Sequence, residues 1–122
     1  MNNGPDRKLE FRTKQFAIAI IRLYARLPKS TVAQVLGRQL LRSGTSVGAQ
    51  YYEAIHAKSI ADFVSKIEGA LQEIEETRYW LDLLVESSTM PLTAIAEIRS
   101  ESSELIAMLV ASVRTAKKRR AA

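Results

Sequence analysis

The longest amphipathic pattern in the chain lies between Ser59 and Glu86. Apolar residues recur there at intervals of three and four, which places them on one face of a helix. Ser59 followed by Asp62 is typical of a helix start, because the hydroxyl accepts from a free amide and the carboxylate lies near the positive end of the helix dipole. Such a helix spans about 42 Å and needs other helices to cover its apolar face. The apolar positions are Ile60, Phe63, Val64, Ile67, Ala70, Leu71, Ile74, Leu81, Leu84 and Val85.

Three other segments have a helical pattern. The first runs from Phe11 to Leu27 and ends at Pro28, since the residue before a proline avoids the helical conformation. The second runs from residue 31 to about residue 57, and the fourth helix runs from Pro91 to about residue 115. Pro91 suits a first helical turn, where no amide donor is needed.

Three glycines lie inside the second segment, and each interior glycine costs ~1 kcal/mol relative to alanine. Gly37, Gly44 and Gly48 are spaced seven and four residues apart, so they share one side of a helix. A side without side chains lets another helix approach closely. We therefore predict one continuous helix with close helix packing at these glycines.

The connections between the four segments are short, so each returns the chain alongside itself. No segment alternates long enough to form a strand. The predicted fold is all-α, an antiparallel up-down-up-down four-helix bundle over residues 11–116. Residues 1–10 are predicted to form a flexible N-terminal arm, and residues 117–122 a basic C-terminal tail.

The composition excludes several classes of protein. The chain of 122 residues has no Cys, which rules out disulfides and thiolate sites. No apolar run approaches the ~18 residues of a membrane span, and the N-terminus lacks the apolar core of a signal peptide. We expect a soluble, cytoplasmic protein that does not contact a membrane.

The region from residue 38 to residue 87 resembles a known family. The segments LLRSGTSVGA, EA, DFVSKIEGALQE and ETRYWLDLL resemble the bacterial four-helix bundle proteins, also known as 23S rRNA intervening-sequence proteins. They are similar to the accessory variability proteins of diversity-generating retroelements. Gln50 replaces the usual Asn of the family, and Gly69 a usually apolar residue. The resemblance implies an antiparallel four-helix bundle, a homo-pentamer, and nucleic acid or a ribonucleoprotein as ligand.

Charge is distributed unevenly along the chain. Residues 1–42 hold nine Lys and Arg against two acidic residues, residues 43–104 hold four against eleven, and residues 105–122 hold five and no acid. The basic ends can contact the acidic segment of a neighbour, or they can bind phosphates.

The basic residues predicted to bind nucleic acid lie on the first two helices and in the tail. Arginine suits phosphate because its planar group makes paired hydrogen bonds, and no aromatic platform for reading bases is visible. The alternative is a solvated face, with some arginines paired to acids of the third helix. The predicted residues are Arg12, Arg22, Arg26, Lys29, Arg38, Arg42, Lys117, Lys118, Arg119 and Arg120.

Three aromatic residues are candidates for an oligomer interface. Consecutive helical residues point about 100° apart, so Tyr51-Tyr52 and Tyr79-Trp80 cannot place both members in one core. We predict Tyr51, Tyr79 and Trp80 at the interface, with core packing as the alternative for Trp80.

Enzymatic patterns are sparse. His56 is the single histidine; Glu53 lies one turn away, and Glu73 or Glu76 would have to complete a metal site. A di-iron bundle needs a second Glu-x-x-His, and no Gly-x-Ser-x-Gly elbow is present. We expect no catalytic residue, metal or cofactor.

These observations favour a non-enzymatic homo-oligomeric bundle that binds RNA or DNA, with the ribosome or a reverse transcriptase as possible partners. A structural scaffold whose basic ends dock an acidic protein is the alternative. A metal- or ligand-binding bundle enzyme is a third hypothesis.

Overall fold

The computed structural model describes residues 7–121, which form four α-helices: α1 (Arg7–Ala25), α2 (Thr31–Ile55), α3 (Ile60–Glu86) and α4 (Leu92–Ala121). No strand occurs within this described part of the chain. The prediction of an all-α fold with four helices is therefore confirmed.

The helices are antiparallel and each packs on two neighbours. Contacts join α1 with α2, α2 with α3, α3 with α4, and α4 with α1, and no Cα atoms of diagonally opposite helices lie within 8 Å of each other among the described residues. We call the end with connections 26–30 and 87–91 the upper end. The lower end contains the start of α1, connection 56–59 and the end of α4.

The core is formed by one apolar face from each helix. Tyr51, Phe16, Ile20, Ile74 and Leu105 are among its largest fully buried side chains. The apolar positions of α3 that recur every three or four residues supply Val64, Ile67, Ala70, Ile74, Leu81 and Leu84 to this core.

Glycines line the contact between α1 and α2, and α2 continues through all three of them. A Cβ atom added to Gly44 would lie 2.7 Å from Ile20 Cγ1, and one added to Gly48 would lie 3.3 Å from the backbone oxygen of Thr13. At Gly37 an added Cβ would meet side-chain atoms of Leu27 and Tyr24 at 2.5 and 3.0 Å. Any larger residue at Gly44 would therefore force the two helices apart.

Serine residues define several helix ends. Ser59 Oγ accepts from the amide of Asp62 at 3.0 Å, as the sequence predicts, and Ser30 Oγ accepts from Ala33 at 3.2 Å. After α3, Ser88 has a φ of 61°, and the amides of Ser88 and Thr89 donate to the carbonyls of Val85 and Leu84. This is a Schellman ending, which places a non-glycine residue in the left-handed region.

Two predicted boundaries differ from the structure. Helix α1 begins at Arg7 rather than Phe11, so residues 7–10 are helical and not part of an arm; the predicted arm at 1–6 lies outside the described residues. Helix α4 continues to Ala121, so Lys117 to Arg120 lie on a helix rather than in a tail. No Gly or Pro interrupts α4, and basic residues in its last turn favour the negative end of the helix dipole.

Candidate nucleic-acid interface

Arg12 joins α1 to α4 and is not free to bind a ligand. Its Nε and Nη2 donate to the two carboxylate oxygens of Glu101 at 2.9 and 2.6 Å, and Nη2 also donates to Glu104 at 3.0 Å. These hydrogen bonds, with Glu101 contributing most, raise the pKa of Arg12. The guanidinium therefore links α1 to α4. To bind a phosphate, it would have to break its ion pairs with Glu101 and Glu104.

Arg42 is likewise paired, here between α2 and α3. Its guanidinium contacts Glu73 at 3.5 Å and also binds Glu76. The same Glu76 oxygen accepts from Trp80 Nε1 at 2.9 Å. The alternative that some arginines pair with acids of the third helix thus applies to Arg42.

Four cations at the upper end remain unpaired: Arg22, Arg26, Lys29 and Arg38. All four are exposed, and none of their side chains has a hydrogen bond or ion pair with any residue in 7–121. We call them the upper-end cations. Glu86, the last residue of α3, also lies at this end.

The lower end carries a second group of exposed cations. Lys118 and Arg120 lie in the last turn of α4, and Lys58 lies in the connection between α2 and α3. None of these three side chains has an ion pair or hydrogen bond within the described chain. We call them the lower-end cations. Sequence reasoning missed Lys58, because it predicted residues 117–122 as a tail and not as the last turns of a helix that ends at the same end as the α2–α3 connection.

Lys117 and Lys66 differ from their neighbours at the lower end. Lys117 Nζ lies 3.3 Å from Glu68, and Lys66 Nζ lies 3.0 Å from Glu53. The carboxylate of Glu53 raises the pKa of Lys66. Both lysines therefore have carboxylate partners on neighbouring helices, unlike the lower-end cations.

Acidic side chains occupy the surface between the two ends. Several of them are the partners of Arg12 and Arg42, and Asp82 pairs with Arg99 at 2.9 Å. Glu75 and Glu97 are exposed and have no cation at ion-pair distance among residues 7–121. On the α3–α4 side the basic ends are thus separated by acidic residues, whereas α1 and α2 carry no acidic residue between Glu10 and Glu53.

The three predicted interface aromatics lie in different environments. Tyr51 has 0% of its surface exposed, so its prediction as an interface residue is wrong: it lies on the core face of α2, at helical spacing from Val47 and Ala54. Tyr79 is 57% exposed and its ring meets that of Trp80 edge-on, with centroids 5.1 Å apart. Trp80 is half-buried and packs partly against the core.

The candidate metal ligands do not converge. His56 lies at the lower corner, where its Nδ1 is 2.8 Å from the carbonyl oxygen of Tyr52, whereas Glu73 and Glu76 bind Arg42 further along α3. No group of three or more His, Asp or Glu residues that could hold a metal ion is found in the part of the chain that the structure describes.

The described helices also give no membrane-spanning segment: none is both long and apolar enough to cross a bilayer.

Fold and surface together define an antiparallel four-helix bundle with two basic ends. The chain belongs to the 23S rRNA-intervening sequence protein family, whose model matches residues 8–111. It is also similar to the crystal structure of a protein of unknown function from the S23 ribosomal protein family of Bacteroides thetaiotaomicron. The two are 36% identical with a TM-score of 0.81, over 86% of this chain and 97% of that chain. A comparison with curated proteins found no match.

Proposed function

We propose that the chain is a non-enzymatic helical bundle that binds RNA or DNA through the unpaired cations at its ends. The observation that carries this proposal is the upper-end group, in which four exposed cations have no partner within residues 7–121. Cations without internal partners are free to replace the counterions of a phosphate backbone, which releases those counterions and favours binding. The family is named for an intervening sequence of 23S rRNA, so RNA is the first probe to use.

The proposed contacts are with phosphates rather than with base edges. Lysine and arginine groups on convex helix ends reach the backbone of a duplex, and such contacts carry no sequence information. We therefore expect similar affinities for duplexes of different sequence, and an affinity that falls steeply with salt.

A matched pair of arginines on α2 tests the proposal. Arg38 and Arg42 are one turn apart, but only Arg42 is engaged with carboxylates. We expect Arg38→Gln to weaken binding to a short RNA duplex severalfold and to reduce the salt dependence by about 0.9 in log–log slope. Arg42→Gln is expected to keep the affinity and to lower the melting temperature. Fluorescence anisotropy over a salt series gives the affinities.

Equal losses of affinity in the two variants would contradict the assignment to unpaired cations. Binding by neither variant nor parent would contradict nucleic-acid binding itself. In that case, retention of an acidic protein from nuclease-treated extract would favour the alternative of a protein-docking scaffold.

Self-association is the second part of the proposal. The ion pair between Arg42 of α2 and Glu76 of α3 lies on the outer side of the contact between these helices. Trp80 lies one turn after Glu76, and Val35 lies two turns before Arg42. Trp80 and Val35 therefore flank this contact. Val35 is 51% exposed and Tyr79 is 57% exposed. Tyrosine and tryptophan are typical anchors at subunit interfaces.

We expect native mass spectrometry to give a multiple of the 13.6 kDa chain mass, with five copies as the number that the family resemblance implies. Tyr79→Glu should shift the distribution towards monomer, because it places a charge where an apolar contact forms. A monomeric parent chain at micromolar concentration would contradict self-association and leave the proposed nucleic-acid binding untouched.

A further inference from the structure

Cations whose side chains have no partner among residues 7–121 lie towards both ends of the bundle. Arg38 lies one turn before Arg42, which pairs with Glu76, and Lys118 adjoins Lys117, which pairs with Glu68. At ~1.5 Å per residue of α3, Arg38 and Lys118 are about 20 Å apart along the bundle axis. At physiological salt, electrostatic interactions between exposed charges decay over about 8 Å. The upper-end and lower-end cations therefore act on phosphates independently of one another.

We propose that the two ends hold separate nucleic-acid segments, so that the protein bridges two phosphate backbones. This inference rests on the nucleic-acid binding proposed above and adds that each chain has two binding sites, one at each end. The upper site is formed by Arg22, Arg26, Lys29 and Arg38, and the lower site by Lys58, Lys118 and Arg120.

On the α3–α4 side of the bundle, acidic side chains between the two ends favour two sites over one continuous track. A single strand that contacted both ends along the α3–α4 side would pass Glu75 and Glu97, which are exposed and have no cation partner among the described residues. Two arginines near the middle of that path are already engaged, since Arg12 binds Glu101 and Arg99 binds Asp82. The negative carboxylates on this side repel the phosphate backbone of a nucleic acid, so binding at the two ends is favoured over binding along this side.

The test is capture of a second duplex. A biotinylated short RNA duplex is immobilised on beads, protein is added, and retention of a fluorescent duplex of the same length is measured. We expect retention to rise with protein and to fall again when protein is in excess, because each duplex then binds its own protein molecule.

Two variants assign the bridging to opposite ends. The upper-end variant carries Arg22→Gln, Arg26→Gln, Lys29→Gln and Arg38→Gln; the lower-end variant carries Lys58→Gln, Lys118→Gln and Arg120→Gln. Each should still bind the immobilised duplex at low salt through its intact end, and each should retain about tenfold less fluorescent duplex than the parent, since phosphate contacts dominate affinity.

Each other outcome has a definite meaning. If the parent binds the immobilised duplex but never retains the second, bridging is wrong and the proposed function stands. If either variant bridges as well as the parent, the intact ends of several associated copies are enough to hold two duplexes. The assignment of bridging to opposite ends of one chain is then wrong. If the parent does not bind the immobilised duplex at low salt, the proposed function fails and the inference fails with it.

Discussion

Replacing Gly44 with leucine is expected to lower the free energy of unfolding by about 3 kcal/mol, at the upper end of the range for overpacked cores. A Cβ atom at this position would already lie 2.7 Å and 2.9 Å from the two γ carbons of Ile20. Ile20 is fully buried, so it has no room to move away. Leucine adds three more carbon atoms to this clash, and α1 must shift away from α2.

The gain in helix propensity does not offset this cost. Glycine is about 1 kcal/mol less favourable than alanine in a helix interior, and leucine is close to alanine. The expected loss is therefore a net value after that gain. Urea denaturation followed by circular dichroism measures it, at one protein concentration for all variants, because self-association stabilises the folded state.

Gly69→Ala is the matched control for this prediction. An added Cβ there meets only the side chain of Gln50, at 3.0 to 3.2 Å, and that flexible side chain can rotate away. We expect Gly69→Ala to be neutral or to stabilise the protein by up to about 1 kcal/mol. A Gly44→Leu protein as stable as the parent would show that α1 and α2 do not pack as closely as the structure has them.

The helices were largely predictable from the sequence because their signals are local. The spacing of apolar residues in α3 and the Ser59 cap involve residues within one or two turns. The glycine spacing predicted a continuous α2 for the same reason. The early start of α1 at Arg7 was missed, because Gly4-Pro5 and the polar residues after it carry no helical period of their own.

The state of each arginine was not predictable, because it depends on distant partners. Arg12 and its carboxylate partner Glu101 are 89 positions apart in the chain. Arg38 and Arg42 lie one turn apart on the same helix, yet only Arg42 reaches the acids of α3. The sequence identified a set of basic residues, and the packing of the helices divides that set into paired and unpaired members.

The position of Tyr51 is a different case. In the pair Tyr51-Tyr52 the two side chains point about 100° apart, so one faces the core and the other faces out. The spacing of Tyr51 from Val47 and Ala54 indicates the core side, whereas Tyr52 follows Gly48 and Ala49 at that spacing; the prediction of Tyr51 at an interface did not use this signal. The structure buries Tyr51 and leaves Tyr52 59% exposed.

The second large effect is expected when all seven end cations are replaced by glutamine. Upper-end and lower-end sites are then both removed, so no phosphate-binding group remains in either. With each phosphate contact contributing about 0.9 to the salt slope, affinity for an RNA duplex should fall about a hundredfold or more at about 0.1 M salt. None of the seven side chains has an internal partner among residues 7–121, so the melting temperature should change little.

A charge-preserving variant is the control for this replacement. Changing Arg22, Arg26, Arg38 and Arg120 to lysine keeps every positive charge and removes only the planar guanidinium geometry. Most of the affinity and the salt dependence should remain if attraction to the backbone is the main interaction.

The decisive measurement is the salt dependence of RNA-duplex binding by the parent and by the seven-cation variant, compared side by side. Our account predicts a steep fall of affinity with salt for the parent and a weak, nearly flat dependence for the variant. Two curves of the same slope and affinity would show that phosphates do not bind at the ends of the bundle.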